Sequence, residues 1–454
     1  MKVLITGATG LIGQQLGIEL VRQGYDLVVV SRNKSRAQLN LPFPAEVVEG
    51  DLMQGPLELP QDITAVIHLL GEGVADRRWS EEQKLQILDS RTKSSKNLLQ
   101  SFKKMPALWV QASAIGFYGD RADESLDESS EKGSGFLSDV CLQWESAAEE
   151  ALKKGALREV RARLGIVLSS QGGALAKMLT PFQAGVGGAL GNGKQWMSWI
   201  HIRDAVRLFV ECLKNENYKG VVNFVSPEPL TNYDFSKSLT QRLNRFMGPP
   251  VPELALKALF GEMAVVLLAS QKVVPQQALK NGFQFEFDEL QKAFTSVLPG
   301  GPKGEQYLET YQYIPFKREK VFSFFSKAEN LEKITPDFLH FRITRSSTPQ
   351  IQKGTEIDYR LKIHGFPAGW KTLIEEFESP RFFVDTALKS PYQKWHHTHI
   401  FEDLGPGTLV IDRVLYKLPV GYLGWLVGGA LVKKDVNDIF NFRRSAVLKA
   451  LHIV

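Results

Sequence analysis

Short apolar runs alternate with helical patterns over the first third of the chain. Lys2–Thr6, Asp26–Val30, Ala45–Val48, Ala65–Leu70, Leu108–Ala112 and Glu159–Leu168 read as strands. Leu11–Gln23 has helical spacing, with Ile12, Leu16 and Leu20 on one face, and Trp79–Phe102 reads as one or two helices. Strands apolar on both faces and separated by helices predict a parallel α/β sheet. Glycine is dense between Gly172 and Gly193, which predicts a mobile loop rather than a core element. Met247–Pro252 breaks the chain, Glu253–Leu279 reads as mostly helical, and Gly282–Phe287 alternates like a strand.

The pattern changes after Leu298–Gly304, where proline and glycine preclude a continuous helix or central strand. Tyr307–Ile314 reads as a strand and Lys317–Phe325 as a short helix. Period-two runs follow at Phe341–Ser346, Thr355–Ile363, Lys371–Ser379, Arg381–Leu388, Trp395–Leu404 and Gly407–Tyr416, and the chain closes on a helix near Lys434–Leu451. That predicts an antiparallel sheet with one long terminal helix. The expected organisation is a doubly wound α/β domain with a small substrate lobe over 1–246, a short extension over 247–297, a linker over 298–306 and an α+β domain over 307–454.

Composition narrows the function classes. The 454 residues carry 43% hydrophobic and 23% charged side chains, which suits a folded protein and excludes wholesale disorder. Two cysteines, Cys141 and Cys212, cannot build a disulfide framework or a cysteine zinc site, so a reducing, cytoplasmic setting is expected. No signal peptide or membrane span is read. The net charge of +5 is scattered rather than gathered on one face, so no nucleic-acid partner is expected.

The first chemical signal is Thr6-Gly7-Ala8-Thr9-Gly10-Leu11-Ile12-Gly13, between a strand and a helix. Gly7 permits the sharp turn, Gly10 lets the backbone approach a pyrophosphate, and Gly13 lets the helix pack against the sheet. Thr9, Leu11 and Ile12 complete a loop whose amides face that pyrophosphate at the helix N-terminus. The second strand ends Val30-Ser31-Arg32-Asn33, without the acid that usually holds a ribose 2′-OH. Arg32 and Ser31 suit a 2′-phosphate, so NADP (NADPH) is expected rather than NAD. Asp51 and Leu52 follow the third strand, where adenine is expected. Leu69 and Gly71 follow the fourth, near the ribose and pyrophosphate.

These motifs resemble the extended short-chain dehydrogenases/reductases. Ala75-Asp-Arg-Arg-Trp-Ser80, Ile87-Leu-Asp-Ser-Arg91, Ser113-Ala-Ile-Gly-Phe-Tyr-Gly-Asp120 and Trp199-Ile-His-Ile-Arg-Asp204 resemble an atypical, epimerase-like branch of sugar-nucleotide epimerase or cell-division inhibitor type. Pro252–Phe287 resembles the short C-terminal domain of that branch. The resemblance implies a hydroxyl, a Tyr and a Lys four residues later as the chemical groups. In this register the Tyr position falls on Leu137, the Lys position on Cys141 and the hydroxyl position on Ala114, beside Ser113. Tyr118, Ser113 and Arg91 are the catalytic candidates that remain, with Tyr118 as proton donor and Arg91 as an anion clamp. His201 is a weaker candidate, as a lone histidine is more often structural. An NADP(H)-dependent oxidoreductase with a non-standard site and unknown small-molecule substrate is expected; a non-catalytic NADP(H)-binding or sensing protein is the alternative.

Tyr307–Phe325, Asn330–Pro336, the later strands and the terminal helix resemble the START/polyketide-cyclase superfamily. That resemblance implies a helix-grip fold around a cavity for an apolar ligand. Phe341, Tyr359, Trp370 and Trp395 suit such a cavity, and Leu418–Val432 would cap it. His397 and His399 point to one face of a strand, but no acid or thiol partner can be assigned from sequence, so no metal site is expected.

Overall fold

The computed structural model describes residues 1–299, 304–419 and 422–453. Residues 300–303 of the expected linker, and 420–421 of the expected capping segment, lie outside them. The chain divides into two compact units, one of Met1–Gln38 with Ala45–Leu298, the other of Leu39–Pro44 with Pro299–Val454.

The first unit is built on β1 (Lys2–Thr6), α1 (Leu11–Arg22), β2 (Asp26–Ser31), β3 (Glu46–Glu49), β4 (Ile63–His68), α2 (Glu81–Gln100), β5 (Leu108–Ala114), α3 (Phe136–Lys153), β6 (Arg158–Leu164), α4 (Gly173–Gln183), α5 (Ile202–Lys214) and β7 (Gly220–Phe224). The seven strands pair in the order β7-β6-β5-β4-β1-β2-β3, every pair parallel. Strand order therefore reverses between β1 and β4, the point at which open α/β sheets bind ligands. Leu4, Val28, Val66 and Trp109 meet Leu98 of α2 and Ala148 of α3 in a buried cluster. These strands are near-continuous runs of apolar residues because helices cover the sheet.

Three local expectations need correction. The glycine-rich Gly172–Gly193 region contains α4, whose Leu175, Leu179 and Phe182 pack against Trp199, Phe235 and Phe294. Their near-helical spacing outweighs the neighbouring glycines. Gly282–Phe287 forms no strand; Phe287 instead stacks on His201, 3.7 Å between ring centroids. Glu253–Leu279 is broken into short pieces, Glu253–Phe260, Val265–Leu268 and Gln276–Lys280.

The second unit has β8 (Glu305–Ile314), α6 (Arg318–Phe325), α7 (Ala328–Lys333), β9 (Arg342–Ser346), β10 (Glu356–Ile363), β11 (Phe366–Glu378), β12 (Phe382–Lys389), β13 (Lys394–Leu404), β14 (Gly407–Lys417) and α8 (Tyr422–Ala450). Its strands form one antiparallel sheet in the order β8-β14-β13-β12-β11-β10-β9. Helix α8 begins earlier than its charged half predicts, and Val436 and Phe440 pack it against Val414 and Tyr416 of β14. A second cluster joins Phe322 and Phe325 of α6 to Phe401 of β13 and Val447 of α8. Between these elements lies a cavity of about 540 Å³, with Phe341, Tyr359, Leu361, Trp370 and Trp395 in its lining.

Phe401 is 1% exposed and meets Phe322 and Phe325 edge-on at 5.1 and 5.3 Å. Phe401→Ala is expected to destabilise the second unit by about 3–5 kcal/mol. Urea unfolding followed by circular dichroism measures this, and an unchanged profile contradicts the packing.

Candidate functional site

Two sites emerge, one in each unit. In the first, α1 starts at the C-terminal end of β1. Gly7 has φ +68°, and the Gly10 amide donates to the Gly7 carbonyl over 3.0 Å. A Cβ at Gly13 would lie 2.4 Å from the Gly7 oxygen and 2.6 Å from Ala8 Cα, so no side chain fits there. No side chain caps α1, and its first turn carries no acid. Its leading amides are therefore left for an outside acceptor, and the helix dipole favours an anion.

The other expected cofactor residues lie along the same edge of the sheet. A Cβ on Gly7 would be 3.0 Å from the Leu69 carbonyl carbon, so the glycine turn abuts the end of β4. The Gly50 amide donates to the Ser31 carbonyl over 2.9 Å, which places Asp51 beside the end of β2. Thr9, Gly10, Arg32 and Gly71 are exposed; Leu11, Ile12, Ser31, Asp51 and Leu69 are half-buried. Ser31 Oγ is engaged with the Asn33 main chain at 3.2 Å. Leu52 is only 1% exposed and joins the core, so its main chain alone faces the loop, with its carbonyl accepting from Asn97.

The catalytic candidates are each engaged with neighbouring groups. Tyr118 is fully buried and its hydroxyl donates to Asn223 Oδ1 over 2.7 Å. Burial pushes its pKa up to about 12, against the lowering influence of Arg163. Ser113 is 1% exposed and donates to Glu145 Oε1 over 2.7 Å. Arg91 gives its guanidinium protons to the carbonyls of Ile87 and Glu72, both at 2.9 Å, and lies 4.8 Å over the Trp144 ring. It pins the Gly71–Glu72 loop to α2. Tyr118 and Ser113 thus spend their hydroxyl protons within the core.

Sequence reasoning missed the pair that organises these residues. Arg163 on β6 grips Glu145 on α3 through two bonds of 2.8 and 2.9 Å, and its guanidinium lies 3.4 Å from the Phe117 ring centroid. Both side chains are 4% exposed. A charged residue in a buried strand signals such a partner, because an unpaired charge cannot stay there. Leu137 and Cys141 of α3 face the same turn: a Cβ on Gly116 would meet them at 3.4 and 3.8 Å. Burial, with Glu145 nearby, raises the Cys141 thiol to about 11, so it stays neutral.

His201 caps α5 by accepting the Arg203 amide at 3.1 Å. His68 is fully buried between Thr6, at 2.6 Å, and Ser94.

The second site lies in the wall of the C-terminal cavity. Asp385 of β12 pairs in register with His397 of β13, and His399 of β13 with Asp412 of β14. The imidazoles stand 3.7 Å apart between centroids. Burial lowers the His397 pKa to about 4, helped by the neighbouring His399. The acid partners that sequence alone left unassigned are thus Asp385 and Asp412. They are 12 or more positions away along the chain, and only the strand register brings them to the histidines.

Breaking the Glu145–Arg163 pair strands a buried charge. Arg163→Met should cost about 3–5 kcal/mol, and Arg163→Met with Glu145→Leu should recover most of it; urea midpoints decide, and equal loss in single and double variants contradicts the pairing. His68 and His201 remain neutral down to about 3, through burial and, for His201, Arg203 as well. Below their ordinary pKa of 6.5 the unfolded chain gains protons that the folded chain does not. Stability should therefore fall with pH between 6.5 and 3, by up to about 1.4 kcal/mol per pH unit for each histidine. His68→Gln should flatten that slope in pH-dependent melts; an unaltered slope contradicts the assignment.

Comparison with known proteins places the first unit. The NAD dependent epimerase/dehydratase family matches residues 3–224, and a domain of unknown function, DUF1731, matches 251–297. The chloroplastic SDR39U1 homolog of Arabidopsis thaliana, an epimerase family protein, is 38% identical over 306 residues, 66% of this chain and 87% of the relative. The epimerase family protein YfhF of Bacillus subtilis is 33% identical over 303 residues, 66% of this chain and 98% of the relative. The crystal structure of human epimerase family protein SDR39U1 (isoform 2) with NADPH is 32% identical, with a TM-score of 0.59, and covers 66% of this chain and 99% of its own. With its glycine turn, its strand order and this likeness over nearly the full length of such relatives, the chain belongs to the epimerase family of SDR39U1 type, among the extended short-chain dehydrogenases/reductases.

Proposed function

We propose that the first unit binds NADP(H) and that the second encloses an apolar ligand, so that one chain couples a dinucleotide-binding domain to a small-molecule carrier domain. The observation that carries the first half is the uncapped N-terminus of α1, brought against β1 by a glycine that tolerates no side chain. The amides of Leu11 and Ile12 hold the pyrophosphate, with Gly7, Thr9 and Gly10 shaping the turn. Arg32, exposed beyond β2, pairs with the 2′-phosphate, and Ser31 and Asp51 flank the adenosine. Leu52, Leu69 and Gly71 border the adenine, ribose and pyrophosphate through their main chains. The human relative crystallised with NADPH supports this choice of cofactor.

Bound NADPH supplies a hydride. The protein side of a transfer is less well provided, since Tyr118, Ser113 and Cys141 are buried and the first two are committed to Asn223 and Glu145. The reading we favour is therefore binding of the dinucleotide without the tyrosine-driven proton transfer of a sugar epimerase. The second reading is an oxidoreductase whose substrate opens the Ser113–Glu145–Arg163 network. Its support is the polar character of that network beside Tyr118, which a purely structural core would not require.

The domain reading is 1–246 as the dinucleotide-binding domain, 247–297 as its family extension, 298–306 as a linker and 307–454 as a START/polyketide-cyclase-like helix-grip domain. The long α8 over a seven-stranded antiparallel sheet, and the cavity between them, support the last assignment. Among the described residues no helix is long and apolar enough to cross a membrane. Two buried free thiols agree with a reducing, cytoplasmic setting.

Fluorescence titration tests the cofactor reading. Arg32→Ala should weaken NADPH binding about tenfold, the loss of one charge-assisted contact, and leave NADH unaffected; equal losses for both contradict the role of Arg32. NADPH oxidation against quinones, aldehydes and keto-sugars separates the two readings. Turnover that survives in Tyr118→Phe removes Tyr118 as proton donor, and turnover of any kind favours the oxidoreductase.

A further inference from the structure

Two histidines and two aspartates converge in the wall of the C-terminal cavity. Asp412 Oδ1 lies 3.0 Å from His397 Nε2 and 2.8 Å from His399 Nδ1. Asp385 Oδ2 lies 2.9 Å from His399 Nε2 and 3.5 Å from His397 Nδ1. Four ring nitrogens thus face two carboxylate oxygens. A neutral imidazole has one N–H and one lone pair. Two neutral rings leave two lone pairs directed at carboxylates. The histidine side chains are 5% and 4% exposed. Protonating both rings would set two imidazolium ions 3.7 Å apart, with the Arg443 guanidinium also close by, 4.0 Å from Asp412.

A cation fits this arrangement. Asp385, His397 and His399 each offer one ligand atom, all within 4.8 Å of one another. With an ion bound by Asp385 Oδ2, His397 Nδ1 and His399 Nε2, each imidazole keeps its single proton on the nitrogen that faces Asp412. Every ring nitrogen then has a partner. A carboxylate that accepts the far N–H of a metal-binding histidine is the usual outer support of such sites. We propose that Asp385, His397 and His399 bind a divalent transition-metal ion of the zinc class, with Asp412 orienting both imidazoles.

Two histidines and one carboxylate suit zinc and its first-row neighbours better than magnesium or calcium, which prefer oxygen alone. Three protein ligands leave a coordination position open, the pattern of reactive rather than purely structural zinc. All three ligands line the 540 Å³ cavity, so that position faces its interior. The open position would take water or the oxygen of an apolar guest that carries a hydroxyl or carbonyl. Only this last point rests on the ligand-carrier reading; the ion site stands on the side chains.

Tag-free, full-length protein, stripped with EDTA and returned to neutral pH, provides the test. Calorimetry with Zn²⁺ should find one equivalent per chain, and Co²⁺ should give the visible bands of a site with nitrogen ligands and low coordination number. Asp385→Asn, His397→Gln and His399→Gln should each weaken Zn²⁺ binding at least about 100-fold, and Asp412→Asn about 10–100-fold, with far-ultraviolet circular dichroism unchanged. Where a variant fails to fold, the Co²⁺ spectrum and stoichiometry of the wild type decide. Folded wild type that takes up no stoichiometric Zn²⁺ overturns the site, as does a His397→Gln/His399→Gln double variant that binds as wild type does. Because no apolar ligand is added, failure here leaves the carrier reading intact, and a vacant cavity leaves the ion site intact.

Discussion

At Gly13 the first turn of α1 runs so close to the β1 turn that a single added carbon would overlap the Gly7 carbonyl. That close approach is the constraint on which the first unit depends. It aims the helix N-terminus at the reversal point of strand order, between β1 and β4, and brings Gly7 against Leu69. A longer side chain at position 13 would push the helix away from the sheet and turn its amides off the edge. The positive φ of Gly7 has the same origin, since the chain must reverse within a few residues to make the contact.

Much of this was legible in the sequence because backbone demands leave compositional marks. Strands covered on both faces read as unbroken apolar runs, so the parallel sheet could be foreseen from Asp26–Val30 and Ala65–Leu70. Glycine turns are equally legible, as few other residues meet their geometry. Helix α4 was hidden because glycine flanks it on both sides, while Leu175, Leu179 and Phe182 carry its periodicity. Strand β7 was missed because five residues with Asn223 among them make a weak pattern. The alternation of Gly282–Phe287 misled for a different reason: Phe287 stacks on a histidine and gains no strand partner. Side-chain partnerships were the least legible part. Glu145 and Arg163 lie on different elements, and Asp385 and Asp412 meet His397 and His399 only once antiparallel register is fixed.

The two units use polar groups in opposite ways. In the first, the hydroxyls and charges near Tyr118 are consumed by one another: Ser113 by Glu145, Glu145 by Arg163, Tyr118 by Asn223. Such a network rigidifies its surroundings and holds the loop after β5 to α3. In the second, the buried His–Asp group faces an open volume. Burial alone therefore does not distinguish a structural network from a receptive one. What distinguishes them is that the second group lines an open cavity.

At one edge the antiparallel sheet of the second unit ends on β9, whose outer row of main-chain groups has no neighbouring strand among the described residues. Exposed edges of this kind template the addition of foreign strands and hence aggregation. Here the edge carries Arg342 and Arg345, both exposed, and its register with β10 slips between Ile343 and Arg345. Two cations and an irregular ladder make a poor seat for another chain. The same few residues that close the sheet on this side thus act as its guard against strand addition.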